Sequence, residues 1–260
     1  MNRLDQTLAR LRGEKRSALA TYFTAGDPDF DTSLRLLQGL AAAGADVIEL
    51  GMPFSDPVAD GVVIQAAHLR ALAGGQTVRR TLELVARLRE TDDVTPVVLM
   101  GYFNPVLQYG VERFLGDARR AGVDALLLVD LTVEPAAPYV AAAQETGIHL
   151  IRMTAPTTDE ARLSTVLDGA SGFVYHVSLT GTTGAARSAA AVPLQALARL
   201  RRHTDLPLAL GFGIREASQI AALAGAVDLI VVGSRLVETL AASGVDGALQ
   251  QVRDFAHVLR

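Results

Sequence analysis

Residues 43–51 read AGADVIELG. Gly44 closes a helix-like segment, and an apolar run, DVIEL (46–50), begins two residues later. Glycine just past a helix end supplies left-handed backbone at no steric cost, so the phrase marks a helix stopping and a strand starting. It returns as AGVD (121–124), ETGI (145–148) and AGAVD (224–228). A chain that repeats this join is built from strand–helix units.

Working outward, the strand-like runs are ALATYF (18–23), DVIEL (46–50), PVVLM (96–100), ALLLVD (125–130), HLIRM (149–153), FVYHVS (173–178), PLALG (207–211) and DLIVVG (228–233). Segments of helical periodicity lie between them: Thr32 to Ala43, Thr77 to Glu90, Val111 to Ala121, Pro135 to Glu145, Glu160 to Leu167, Leu194 to Arg202, Glu216 to Leu223 and Gly247 to Val258. Strands alternating with helices imply parallel pairing through right-handed crossovers. Eight such units predict an α/β fold, a single (β/α)8 TIM barrel over residues 1–260 with an extra N-terminal helix. An open doubly wound sheet would need edges, and no run of proline or charge marks one.

The composition narrows the function. The chain has 260 residues, half of them apolar and 20% charged, with a formal net charge of −4. That balance leaves no electrostatic footprint for nucleic acid or an anionic membrane. The absence of cysteine excludes disulfides and thiolate chemistry. The opening MNRLDQTLARLRGEKR has no apolar signal segment, and no apolar run reaches the roughly 18 residues of a membrane span. The expectation is a cytoplasmic chain.

In an α/β barrel the active face is the one at the C-terminal ends of the strands. Side chains alternate along a strand, so Val47 and Glu49 share one face. If Val47 points into the barrel, Glu49 is the last inward residue of the second strand. A carboxylate there is partly desolvated, which suits it to general acid–base work. It could equally be a structural acid paired with an arginine. In the following loop, PFSDPVADG (53–61), Asp56 and Asp60 are either further reacting groups or helix-cap and turn residues, the commoner use of aspartate in loops.

Glycine turns follow the last strands: TGTTGAAR (180–187), GFGIRE (211–216) and VGSR (232–235). Glycine lets backbone amides approach an anion, and the loops after strands 7 and 8 are the recurrent phosphate site of this fold. Gly213, Gly233 and Ser234 form a candidate cradle. The five histidines, His68, His149, His176, His203 and His257, have no paired spacing, so no metal site is expected. The single lysine, Lys15, lies at no strand end, which leaves no Schiff-base candidate. The residues thus point to a phosphorylated small molecule, acid–base carboxylates, and an electron sink carried by the substrate.

The segment ELGMPFSDPVADG (49–61), with TAGDPD (24–29), NPVLQYG (104–110), APTTDEARL (155–163), TGTTGA (180–185), GFGI (211–214) and GSRLVE (233–238), closely resembles the tryptophan synthase alpha family. The resemblance runs in order from about Ala18 to the C-terminus. It implies the (β/α)8 barrel and a retro-aldol cleavage of indole-3-glycerol phosphate to indole and glyceraldehyde 3-phosphate. Protonation at indole C3 makes an indolenine, which accepts the electrons of the breaking bond. The resemblance places the catalytic proton carrier on Glu49 and the carboxylate for the indole N–H on Asp60. It places Thr183 in a loop that closes over the substrate, and phosphate binding on Gly184, Gly213, Gly233 and Ser234. Tyr22, Met100, Tyr102, Tyr175 and Phe212 match pocket positions, where ordinary core packing is the alternative reading.

No cofactor is implied for this chain. The implied partner is a tryptophan synthase beta subunit, carrying pyridoxal phosphate, in an α2β2 complex. The sequence departs from the family's usual pattern at Thr21, Val62, Thr132 and Arg152. Val62 and Thr132 motivate a second reading, a stand-alone lyase that releases free indole; a third is an inactive barrel kept as an allosteric partner, against which the intact Glu49, Asp60 and Thr183 argue.

Overall fold

The computed structural model describes residues 2–177, 194–211 and 213–260. Nine parallel strands form one sheet: β1 (Ala18–Thr24), β2 (Val47–Gly51), β3 (Val97–Gly101), β4 (Ala125–Leu128), β5 (His149–Leu150), β6 (Arg152–Thr154), β7 (Val174–Val177), β8 (Leu208–Gly211) and β9 (Leu229–Val232). Each strand-like run of the sequence holds one of them, except that HLIRM yields two. The sheet order is β5-β4-β3-β2-β1-β9-β8-β7-β6. Its two ends, β5 and β6, are one strand interrupted at Ile151. The first half pairs with β4 and the second with β7, so the sheet closes on itself as a barrel.

The helices among the described residues are α1 (Arg3–Gly13), α2 (Phe30–Ala43), α3 (Val62–Ala73), α4 (Val78–Arg89), α5 (Phe103–Tyr109), α6 (Val111–Ala121), α7 (Val133–Thr146), α8 (Glu160–Leu167), α9 (Leu194–Arg201), α10 (Ala217–Leu223) and α11 (Ser234–His257). The expected left-handed turns end α2 at Gly44, α6 at Gly122 and α7 at Gly147. Two features go beyond the sequence reading: the short α5, and the extension of the last helix back to Ser234 across a break at Gly244.

Two apolar clusters divide the molecule. The inner one holds Ala18, Ala20, Val47, Val98, Ala125, Leu127, Ile151, Phe173, Tyr175, Ala209, Leu229 and Val231. Alternating residues of the strands fill the barrel, and α1 plugs its floor with Leu4, Leu8 and Leu11. The outer cluster lies between strands and helices. Because Ile151 points inward, Arg152 points outward. Arg152, a departure from the family pattern, is buried on the outer side of the barrel, where burial pushes its guanidinium down and the Asp168 field partly offsets this.

The aspartates of the repeated phrase have a shared structural use at the barrel floor. Asp46 accepts the Leu19 amide at 2.9 Å and a two-point contact from Arg16. Asp124 accepts the Val97 amide at 2.9 Å and faces Arg89 and Arg3 at 3.0 and 3.1 Å. Asp228 accepts the Leu208 amide at 2.8 Å and pairs with Arg201. Each ties the start of a neighbouring strand, on the face opposite the site.

Candidate active site

Val47 lies in the inner cluster, so Glu49 points into the barrel at the C-terminal end of β2. It is fully buried, and neither carboxylate oxygen has a hydrogen-bond partner among the described residues. The structural alternative, an ion pair with arginine, is therefore absent among them. Burial alone pushes the Glu49 carboxyl up to about 8. At neutral pH it is largely protonated and close to the balance point, the condition for a group that gives and retakes a proton.

The β1–β2 register sets Tyr22 opposite Glu49, and the β2–β3 register sets Gly51 opposite Met100. A methyl group on Gly51 would lie 2.3 Å from Tyr22 Oη, and one on Gly211 would lie 1.9 Å from Tyr175 Oη. Glycine at these two strand ends lets the tyrosine hydroxyls fold over the backbone. Both hydroxyls are pushed well above the usual tyrosine range, chiefly by burial, with further contributions from the Asp60 and Glu49 carboxylates. The two acids and two tyrosines therefore share one electrostatic neighbourhood.

Asp60 reaches that neighbourhood from the loop after β2. It is buried, and Tyr102 Oη donates to its Oδ2 at 2.7 Å. Tyr102 Oη in turn accepts the Ala59 amide at 3.0 Å. Burial raises the Asp60 carboxyl above the ordinary aspartate range, and the Tyr102 hydrogen bond pulls it back. Asp56 differs: it is exposed, and its side chain takes a local hydrogen bond from the Ser55 hydroxyl. Asp56 thus stays at the loop surface, and Asp60 is the buried one of the two loop aspartates.

Gly213 adopts left-handed backbone after β8, and Gly233 caps α11 with Ser234 as its first residue. The first amides of a helix have no intrahelical acceptor, so the Ser234 and Arg235 amides are oriented for an anion. A methyl group on Gly233 would stand 3.3 Å from Tyr22. Tyr22 thus bridges the glycine turn and Glu49. Thr183, Gly184 and Phe212 lie outside the described residues.

Sequence reasoning missed His68. It is buried on α3, its Nδ1 accepts the Phe54 amide at 2.8 Å, and its Nε2 faces Asp60 Oδ2 at 3.6 Å. A lone histidine on the apolar face of a helix carries no spacing signal, and only the fold brings it to the loop.

Fold and site define an α/β-barrel protein that carries the buried carboxylates Glu49 and Asp60 and two glycine turns on the strand-end face. A family model described as tryptophan synthase alpha chain matches residues 8–259. The chain belongs to the tryptophan synthase alpha chain family. It is similar to a chain of Mycobacterium tuberculosis tryptophan synthase at 36% identity and a TM-score of 0.92, covering 100% of this chain and 98% of that one. Tryptophan synthase subunit alpha from Legionella pneumophila is also 36% identical, with a TM-score of 0.90 and coverage of 100% and 98%. A protein from Aquifex aeolicus matches at 30% identity and a TM-score of 0.92, covering all of both chains.

Proposed function

We propose that this chain cleaves indole-3-glycerol phosphate to indole and glyceraldehyde 3-phosphate as a carbon–carbon lyase in tryptophan biosynthesis, working as one barrel domain. The observation that carries the reading is Glu49, a buried carboxyl without a hydrogen-bond partner among the described residues, pushed up to about 8 by burial, with Tyr22 and Tyr175 feeling both it and Asp60. Protonated Glu49 gives its proton to indole C3. Asp60 takes the N1 proton, leaving the indolenine. Ionised Glu49 then takes the proton of the glycerol hydroxyl next to the ring. The C–C bond breaks, its electrons pass through the C2=N1 bond to nitrogen, and the aldehyde leaves. Asp60 returns its proton to N1, giving indole. Both acids end as they began, and the substrate supplies the sink. Gly213, Gly233 and Ser234, with Gly184, hold the phosphate by backbone amides. Tyr22, Met100, Tyr175 and Phe212 wall the ring, and Thr183 belongs to the closing loop.

The partner in this reading is a pyridoxal-phosphate beta subunit in an α2β2 complex, in the cytoplasm. Support comes from exposed apolar side chains beside the site: Val58 in the loop after β2, Val62 and Leu69 seven residues apart on α3, and Leu107 on α5. Val62 and Leu69 share a helix face, and a monomer gains nothing by leaving them in water. No helix among the described residues is long and apolar enough to cross a membrane, so the patch is not part of a helical span. The test is indole formation from indole-3-glycerol phosphate, with and without a beta subunit. Slow cleavage alone and strong activation by the partner support the reading. Fast cleavage without response to the partner supports a stand-alone lyase, and no cleavage in either state overturns the assignment.

A further inference from the structure

The loop that delivers Asp60 is fastened at both ends by side chains that also converge on that acid. At its far end, the Ala59 amide donates to Tyr102 Oη, whose proton goes to Asp60 Oδ2. At its near end, the Phe54 amide donates to His68 Nδ1. An Nδ1 that accepts an N–H carries a lone pair, so the proton of neutral His68 must sit on Nε2. That nitrogen is buried, lacks a hydrogen-bond partner among the described residues and lies 3.6 Å from the same Oδ2 that Tyr102 holds. The rings of Phe54 and Tyr102 are 5.2 Å apart and those of His68 and Tyr102 6.5 Å, so the imidazole is packed in place.

We propose that His68 is a positioning residue for Asp60: its Nε2–H, fixed by the Phe54 amide, is a second donor that closes onto Oδ2 when substrate is bound and keeps that carboxylate aimed at the indole N–H. The inference rests on the proposed reaction and names a further residue for it. A gap of 3.6 Å is too long for a hydrogen bond, and such contacts commonly tighten only in the substrate complex. His68 remains neutral in the working range, since burial pushes it down to about 4. It therefore acts as a dipole, and no His68–Asp60 ion pair forms at neutral pH.

The other titratable groups around the pair among the described residues are accounted for. Tyr102 comes from the β3–α5 join, and Tyr22, Glu49 and Tyr175 come from β1, β2 and β7. On α3 itself, Arg70 is engaged at two points by Asp27. Asp56 is exposed and bonded to Ser55.

The test uses the full chain labelled with 15N-histidine and 13C-aspartate. In the wild type, His68 shows an unprotonated Nδ1 and a protonated Nε2 from pH 6 to 9. An Nδ1–H tautomer or an imidazolium in that range overturns the proposal. Adding a phosphorylated indole analogue shifts the Nε2–H resonance, and Asp60→Asn reduces that shift. An Nε2–H signal indifferent to both also overturns it. In the analogue complex, His68→Leu raises the Asp60 titration by about one pH unit, the worth of one charge-assisted hydrogen bond, and in turnover it lowers kcat about tenfold with little change in KM. His68→Asn, which keeps a donor and an acceptor, restores both. An Asp60 titration unmoved in His68→Leu would reduce His68 to a loop fastener. Absence of cleavage by the wild type would sink the proposed function, yet the Asp60 titration would still report on His68.

Discussion

The Tyr102 hydroxyl stands between Asp60 and the backbone of the loop that carries it, donating to Oδ2 at 2.7 Å and accepting the Ala59 amide at 3.0 Å. A residue expected to line the substrate pocket thus makes its polar contacts to the acid and to the backbone of the loop that carries it. The contact has an electrostatic consequence, because a donor to a carboxylate favours the ionised form.

Tyr102→Phe removes that donor and leaves the ring. The Asp60 carboxyl, already raised by burial, rises further, so a smaller fraction is ionised at a given pH. The acid limb of the kcat profile should move to higher pH. Activity at neutral pH should fall roughly 10–100-fold, as for a lost hydrogen bond to a charged group. An unchanged acid limb would show that Tyr102 acts only through packing.

Glu49 makes stability depend on pH in a direction opposite to an ion-paired carboxylate. Its folded value is raised from 4.5 to about 8. Below about 4.5 both states are protonated and the group is neutral in the balance. As pH rises towards 8, the unfolded chain ionises while the folded chain holds its proton, so stability falls, by roughly 5 kcal/mol in total. Glu49→Gln should therefore raise the melting temperature strongly at pH 9 and hardly at pH 4.5. An increment independent of pH, read by calorimetry, would contradict the buried-acid description.

At the barrel floor, Asp124 is fully buried between Arg89, Arg3 and the Val97 amide. Asp124→Asn leaves two guanidinium groups facing a neutral amide. The expected cost is about 3–5 kcal/mol in denaturant unfolding, with KM for substrate unchanged because the site lies at the other end of the strands. A changed KM with intact stability would reverse this division of labour.

Leu69 is exposed on α3 and makes no part of the acid–base site. Leu69→Asp should leave cleavage by the isolated chain unchanged and weaken beta-subunit activation at least about tenfold in partner concentration, the effect of more than about 1.4 kcal/mol at an interface. Titration of the partner against indole formation reads it directly. Full activation at unchanged concentration would remove α3 from the docking face.

The barrel was legible because its signals are local. Each glycine stop and apolar run lies within a few residues, and alternation alone oriented Glu49 once Val47 was inward. Alternation also orients Arg152, but only after Ile151 is known to face inward, and the break at Ile151 has no sequence signature. The short α5 hides in FNPVLQY, seven residues with a proline in the first turn, too few for a period to show. Asp60 and Asp56 read alike as loop aspartates. The resemblance alone picks Asp60, and the physical difference arises when Tyr102, 42 residues away in sequence, folds onto it. His68 has the same origin, since its role depends on the loop doubling back over α3.

The most direct test of the central claim is single-turnover cleavage of indole-3-glycerol phosphate by the wild type and Glu49→Gln, with substrate affinity measured alongside. A proton carrier at Glu49 predicts a loss of about 10²–10⁴-fold in the cleavage rate at nearly unchanged affinity, because the amide fills the same space and cannot deliver a proton. A Glu49→Gln enzyme that cleaves at close to the wild-type rate would contradict the account.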